Sequence, residues 1–230
     1  RRLDRVAVWL LPASAFGAFI CLGLGQMTLD VTAACVAVCL WAESRITLAS
    51  MAVWVGCGLI ALLKPSLSAP FLLVALLRTG WKQRIAIVVV YLALTLLAAA
   101  YQSADLVLLI RQWLDNGSKV VSSNDFGYSN LNWWLTQLGA ARFNIVASLA
   151  SLALFGVWLL ARRNGSVIVA IGAAAVVSRL WTYHSSYDDL VIVVAMATLA
   201  HVAGRSTGRK WRWMAVGLLI LNGLAGLNLL

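Results

Sequence analysis

The side chains best suited to chemistry are concentrated in residues 178–189, Ser-Arg-Leu-Trp-Thr-Tyr-His-Ser-Ser-Tyr-Asp-Asp, between two apolar runs. His184 and Asp188 are four positions apart, so they would share one face of a helix. A carboxylate beside a histidine can set its tautomer and raise its basicity, as general base catalysis requires. We therefore predict a functional role for His184 and Asp188. Tyr183 is better explained as part of an interfacial aromatic belt.

Arg179 is the cation of this stretch, and its planar guanidinium could hold a phosphate through two hydrogen bonds. An ion pair with Asp188 or Asp189 is the structural alternative, and both arrangements can coexist in one site. Asp188 would also fit as the N-cap of an apolar helix over 189–203.

A second cation, Lys64, is followed directly by Pro65. Proline leaves carbonyls unpaired at the break, and a lysine ammonium there suits a phosphate as a point charge. A lysine at a membrane helix end that extends its ammonium to the interface is the common alternative. The next apolar run, 66–77, is short, and it could be nearly upright, re-entrant or continuous through the break.

The composition indicates a membrane protein. Of 230 residues 62% are hydrophobic and only 11% are charged, with a mean hydropathy of +0.89. A soluble domain could not bury that apolar surface, and backbone groups in lipid are satisfied within helices. We predict an all-α, polytopic transmembrane helix bundle of about nine spans. The predicted spans are 6–25, 27–42, 48–63, 66–77, 85–101, 144–160, 166–181, 189–203 and 213–230.

The charge distribution predicts the orientation of these spans. Thirteen of the 18 Lys and Arg residues fall at one side of the predicted bundle, and six of the eight acids fall at the other. The positive-inside rule then places the N-terminus of this chain in the cytoplasm and the C-terminus outside a plasma (cell inner) membrane. The net charge of +10 is explained by this asymmetry, so no nucleic acid partner is expected.

We treat residues 1–230 as a single transmembrane domain with one long extracytoplasmic loop at about 102–143. The segment 105–114 has apolar residues at helical spacing and predicts a helix lying on the membrane interface. Asn116-Gly117 after it is typical of a turn. Because the chain begins without methionine, it is expected to be the C-terminal portion of a longer protein. The four cysteines lie in apolar runs and predict neither a disulfide framework nor a metal site, and no cofactor is expected.

Several elements occur in a characteristic order. They are Gly25-Gln26-Met-Thr28-Leu, the pair Lys64-Pro65 at the end of a span, a basic turn with Arg78, Lys82 and Arg84, the loop Tyr128-Ser-Asn130-Leu, and Tyr183-His184 followed by Tyr187-Asp188. In this ordered set the chain resembles glycosyltransferase family 87, the polyprenol-phosphate-mannose-dependent membrane mannosyltransferases and their relatives. The family has the C-type glycosyltransferase fold.

The resemblance implies transfer of a hexose, such as mannose, from a polyprenyl-phosphate-linked donor to a glycolipid or glycan acceptor at the extracytoplasmic face. It implies that Lys64 and Arg179 bind the lipid phosphate and that His184 and Asp188 assist catalysis. The sugar or acceptor pocket would be lined by Gln26, Asn130 and Tyr187.

Two departures from the family pattern affect this hypothesis. Thr28 stands where the family often has asparagine. The principal catalytic carboxylate of the fold precedes the Gly-Gln element, so we expect it upstream of this chain. The competing interpretation is a non-enzymatic membrane transporter or lipid-binding protein. Transporters tend to have broken helices near the bilayer midplane, whereas here the polar residues collect at one face.

Overall fold

The computed structural model describes residues 27–42, 47–103, 105–122, 130–182 and 190–205, together with residues 213 and 217. All regular elements in these ranges are helices, which confirms the all-α prediction for the described part of the chain. The helices are α1 Thr28–Trp41, α2 Leu48–Leu62, α3 Pro65–Arg78, α4 Trp81–Tyr101, α5 Leu106–Ser122, α6 Leu131–Gln137, α7 Asn144–Ala161, α8 Val167–Trp181 and α9 Val191–Arg205.

Seven of the nine predicted spans coincide with helices α1 to α4 and α7 to α9. The predicted span 6–25 lies outside the described residues, and only residues 213 and 217 of the last span lie within them. Two segments, Trp81–Tyr101 and Ala141–Ala161, are long and apolar enough to cross a membrane. At 1.5 Å per residue their 21 residues extend about 31 Å, close to the hydrocarbon thickness of a bilayer. The other five are shorter apolar helices.

The long segment 102–143 contains helices of its own. Asp105 accepts hydrogen bonds through Oδ1 from the backbone N–H groups of Val107 (2.7 Å) and Leu108 (3.3 Å), which starts α5. The helix then continues through Asn116-Gly117 to Ser122, so the turn predicted at that dipeptide is wrong. Apolar residues recur at helical spacing on both sides of the dipeptide, and this periodicity outweighs the turn preference of the Asn-Gly pair.

The chain breaks between α2 and α3 at Lys64, whose backbone angles are φ −134° and ψ 76°. A residue before proline is disfavoured in the helical region, whereas proline itself fits the first helical position. Pro65 accordingly opens α3, and Lys64 is its N-cap. The short predicted run 66–77 is therefore a separate helix and does not continue α2.

The core is centred on α3. Leu67, Phe71 and Val74 are fully buried there. Around them, the Cys39 thiol donates to the carbonyl of Phe71 (3.2 Å), and Trp54 Nε1 donates to the carbonyl of Val38 (3.1 Å). These contacts connect α1, α2 and α3. Three of the four cysteines, Cys35, Cys39 and Cys57, form no disulfide. Cys21 lies outside the described residues.

Hydrogen bonds fix which helix ends lie together. Lys64 Nζ donates to Thr28 Oγ1 at the starts of α3 and α1, and Trp181 at the end of α8 bonds to Ser66. We call the end with these residues the Lys64 end. Arg78 Nη2 donates to the Gly165 carbonyl (2.9 Å), which joins the end of α3 to the turn before α8. We call this opposite end the Arg78 end. Helices α3 and α8 are thus antiparallel neighbours.

Helix α9 packs closely against α8 at one small residue. A Cβ atom placed on Gly172 would overlap the side chain of Thr198. Thr198 Oγ1 also donates to the Ile168 carbonyl (3.3 Å), one turn from Gly172. Glycine is therefore required at this crossing for steric reasons, because the two helix backbones approach too closely for a larger residue.

Candidate functional site

Three of the seven predicted site residues, Lys64, Arg179 and Asn130, are described by the structure. The other four lie outside the described residues: Gln26, His184, Tyr187 and Asp188. The site can therefore be built from the two cations, the one amide and the helices that hold them.

Lys64 lies between the starts of two helices. Its half-buried side chain donates from Nζ to Oγ1 of Thr28 at 3.1 Å, and Thr28 is itself almost completely buried as the first residue of α1. The Lys64 carbonyl accepts the N–H groups of Leu67 (3.1 Å) and Ser68 (3.0 Å), as expected of an N-cap. The hydrogen bond to Thr28 connects two of the elements on which the family resemblance depends.

This position is electrostatically unfavourable for a lysine. The N-terminus of a helix carries a partial positive charge, so a cation there costs about 0.3–1 kcal/mol where an anion would gain as much. The ammonium of Lys64 and the N–H groups at the start of α3 together form an environment that favours an anion. An ammonium has three donors, so its hydrogen bond to Thr28 is compatible with a further contact to a phosphate oxygen.

Pro70 leaves a carbonyl near Lys64 open to a donor from the end of α8. Proline has no N–H, so it cannot donate to the carbonyl of Ser66 four residues earlier in α3. Trp181 Nε1 donates to that carbonyl at 2.6 Å. One turn earlier in α8, Ser178 Oγ donates to the carbonyl of Leu67, also at 2.6 Å. These two bonds, which we call the α3–α8 latch, hold the end of α8 against the start of α3.

The latch positions Arg179, which lies between its two donors in the chain. Arg179 is half-buried, and its Nε and Nη1 atoms are shielded from solvent. Lys64 is two residues before Ser66, and Arg179 is two residues before Trp181. Both predicted phosphate ligands thus lie at the Lys64 end, close to the same hydrogen bond. Arg179 is also in the last turn of α8, where a cation stabilises the helix dipole, so its position has a structural explanation as well.

Asn130 has a definite local role. It is 2% exposed, and its Oδ1 accepts the backbone N–H of Trp133 at 2.8 Å as the N-cap of α6. Asparagine is among the preferred residues for this position because its short side chain reaches an unpaired N–H of the first turn. The predicted contact of Asn130 with a sugar stays a prediction.

Sequence reasoning missed a group of amides and hydroxyls between α6 and α7, three of which are buried. The group consists of Asn132 and Thr136 on α6 and Asn144 and Ser148 on α7, which we call the amide–hydroxyl cluster. Ser148 Oγ donates to Asn132 Oδ1 (3.1 Å), Asn144 Nδ2 donates to Thr136 Oγ1 (3.4 Å), and Thr136 Oγ1 donates to the Asn132 carbonyl (2.8 Å). Each pair is spaced i,i+4 and so shares a helix face, which is the signal that could have identified it.

The cluster lies at the Lys64 end, because α7 begins there and runs antiparallel to α8. Its two asparagines are 2% and 5% exposed. Among the described residues, Asn132 Nδ2 and Asn144 Oδ1 have no hydrogen-bond partner. A buried polar group without a partner costs about 1–3 kcal/mol. The cluster therefore contains one unused donor and one unused acceptor in a buried setting.

No group of three or more His, Cys, Asp or Glu side chains able to hold a metal ion occurs in the part of the chain that the structure describes. Comparison with protein-family models finds no match, and comparisons with curated proteins and with solved structures find no similar protein.

Proposed function

We propose that this chain is part of a membrane glycosyltransferase that transfers a hexose from a polyprenyl-phosphate carrier to a glycan or glycolipid acceptor. The observation that carries the proposal is the placement of Lys64. Its half-buried ammonium lies beside the N-terminus of α3, and both the ammonium and the helix end favour an anion such as a phosphate. Arg179, on the other side of the α3–α8 latch, supplies a second cation at the same end.

The surface of α4 supports the assignment to a membrane. Only 11% of its apolar window is buried within the protein. Large side chains are exposed around the helix, among them Val88 (54%), Leu92 (53%) and Leu97 (65%). Exposing this surface to water would cost about 25 cal/mol per Å² of apolar area, whereas exposing it to lipid tails would carry no such cost. A phosphate bound at the Lys64 end would then belong to a lipid-linked molecule at the membrane interface.

The proposed reaction is a displacement at the anomeric carbon. An acceptor hydroxyl oxygen forms the new glycosidic bond while the bond from that carbon to the carrier phosphate breaks. The carrier phosphate leaves with the bonding electron pair, and Lys64 and Arg179 stabilise its developing charge. The acceptor hydroxyl loses its proton to a catalytic carboxylate, with His184 and Asp188 assisting. Gln26, Asn130 and Tyr187 line the sugar pocket in this proposal, and the nine-span topology with a cytoplasmic N-terminus belongs to it.

The experiment is transfer from a synthetic polyprenyl-phosphate hexose by the full-length protein in lipid nanodiscs. We expect Lys64→Ala and Arg179→Ala each to lower kcat on the order of 10²-fold, the scale for loss of one preorganised charge contact in a transition state. Arg162→Ala is the matched control, because Arg162 is an exposed cation at the Arg78 end. It should transfer within about twofold of wild type, since it is remote from the proposed site.

Wild-type transfer by both Lys64→Ala and Arg179→Ala would refute the donor-site assignment. A wild-type protein that binds the lipid phosphate through these two residues but transfers no sugar would instead be a lipid-binding protein.

A further inference from the structure

Each unused atom of the amide–hydroxyl cluster belongs to an asparagine whose other polar atom is hydrogen-bonded. Asn132 Oδ1 accepts the hydroxyl of Ser148, which leaves Asn132 Nδ2 as a donor. Asn144 Nδ2 donates to Thr136 Oγ1, which leaves Asn144 Oδ1 as an acceptor. The cluster thus presents one donor and one acceptor from neighbouring helices.

Few chemical groups match this pair. A hydroxyl both donates and accepts, so it matches the unused donor of Asn132 and the unused acceptor of Asn144 in kind. A phosphate dianion or a carboxylate offers no donor to Asn144 Oδ1, and an ammonium offers no acceptor to Asn132 Nδ2. A hydroxyl group, of a bound ligand or of a single trapped water molecule, is the smallest partner that supplies both functions.

We propose that the amide–hydroxyl cluster is a subsite for a hexose hydroxyl. The choice of a sugar rests on the proposed function. It is supported by the position of the cluster at the Lys64 end, where α7 begins beside the end of α8 that carries Arg179. Both unused atoms are shielded from solvent, so a ligand hydroxyl can reach them only if the packing of α6 on α7 opens.

The test is a binding titration of the full-length protein with methyl α-mannopyranoside and methyl α-glucopyranoside. Lipid nanodiscs are required, because maltoside detergents carry the same hydroxyls as the probes. Tryptophan fluorescence reports binding, since Trp133 directly follows Asn132 and stacks edge-on with Trp134 at 4.9 Å. The expected result is a saturable change with one or both hexosides.

Asn132→Leu and Asn144→Leu are close in size to asparagine and each remove one ligand-facing atom. Each should weaken hexoside binding about 3- to 10-fold, the value of one neutral hydrogen bond. Ser151→Ala is the matched control, because it removes a hydroxyl that bonds to the Ser148 carbonyl on the same helix and leaves the side-chain bonds of the cluster in place. It should bind hexoside within about twofold of wild type. Thermal unfolding followed by circular dichroism identifies any variant that has not folded.

Wild type without a saturable response, or leucine variants with wild-type affinity, would show that the cluster holds only water and would overturn the proposal. Equal weakening by Ser151→Ala would overturn it too, because the loss would then reflect general loosening. Hexoside binding needs neither the lipid phosphate nor turnover, so it should survive Lys64→Ala. Binding without any sugar transfer would leave this subsite standing while the proposed function fails.

Discussion

The α3–α8 latch implies that the contribution of Trp181 to the free energy of unfolding depends on Pro70, a residue far away in the chain. Trp181 donates to the Ser66 carbonyl, which receives no bond from position 70 because Pro70 has no N–H. Trp181→Phe keeps the aromatic ring and removes the donor, which leaves that carbonyl without its partner. We expect a loss of about 1–2 kcal/mol in the free energy of unfolding, the lower part of the range for an unsatisfied buried group because Trp181 and Ser66 are half-buried.

Pro70→Ala supplies the matched background. Alanine at position 70 restores an N–H that can donate to the Ser66 carbonyl within α3, so this carbonyl no longer depends on Trp181. In that background Trp181→Phe should cost less than about 0.5 kcal/mol, giving a coupling energy of about 1 kcal/mol in the double-mutant cycle. The individual cost of Pro70→Ala, a buried position, cancels in the cycle.

The assay is unfolding by sodium dodecyl sulfate in mixed micelles, followed by the helical circular dichroism signal for wild type, both single variants and the double variant. Equal costs of Trp181→Phe in the two backgrounds would refute the reasoning, because the indole would then contribute through packing alone. A cost below about 0.3 kcal/mol with Pro70 in place would show that the hydrogen bond adds no net stability, against the usual range.

Two further predictions concern a helix crossing and the lysine. Gly172→Ala should destabilise the protein by about 1–3 kcal/mol, since its Cβ would overlap Thr198. Gly56→Ala, with open space at its Cβ, should be neutral or gain up to about 1 kcal/mol in the same unfolding assay; similar effects of both would contradict the close packing. Thr28→Val removes the acceptor for Lys64 Nζ and should lower transfer about 3- to 10-fold by mispositioning the ammonium. Thr28→Ser should retain wild-type transfer, and an unaffected Thr28→Val would show that the ammonium needs no such support.

Local chemistry made part of the fold predictable. The break at Lys64 follows from the backbone preference of a residue before proline, and the break is observed there. The apolar runs predicted helix positions because their composition is continuous over a helix length. The Asn116-Gly117 turn was predicted wrongly, since a dipeptide preference is weaker than the helical periodicity on either side.

The contacts of the candidate site were less predictable, because they join residues far apart in the chain. Nothing in the sequence near Trp181 indicates Ser66 as its acceptor, 115 residues away. Pro70 shows only that a carbonyl in α3 needs an outside donor. The contacts of the amide–hydroxyl cluster were unpredictable for the same reason. The i,i+4 spacing of Asn132 and Thr136 defines a polar face on α6, but the packing of α6 on α7 determines which residues of α7 contact that face.

The α3–α8 latch also restricts how a lipid could reach Lys64. Two hydrogen bonds close the seam between α3 and α8 at the Lys64 end, and lipid tails offer no group that could replace them. A polyprenyl chain passing between these two helices would break both bonds and leave the Ser178 hydroxyl, the Trp181 indole N–H and the Ser66 carbonyl without these partners in hydrocarbon. In the proposed reaction, a lipid-borne donor would therefore reach Lys64 along another side of the bundle, and the α3–α8 seam would form a fixed wall of the substrate path.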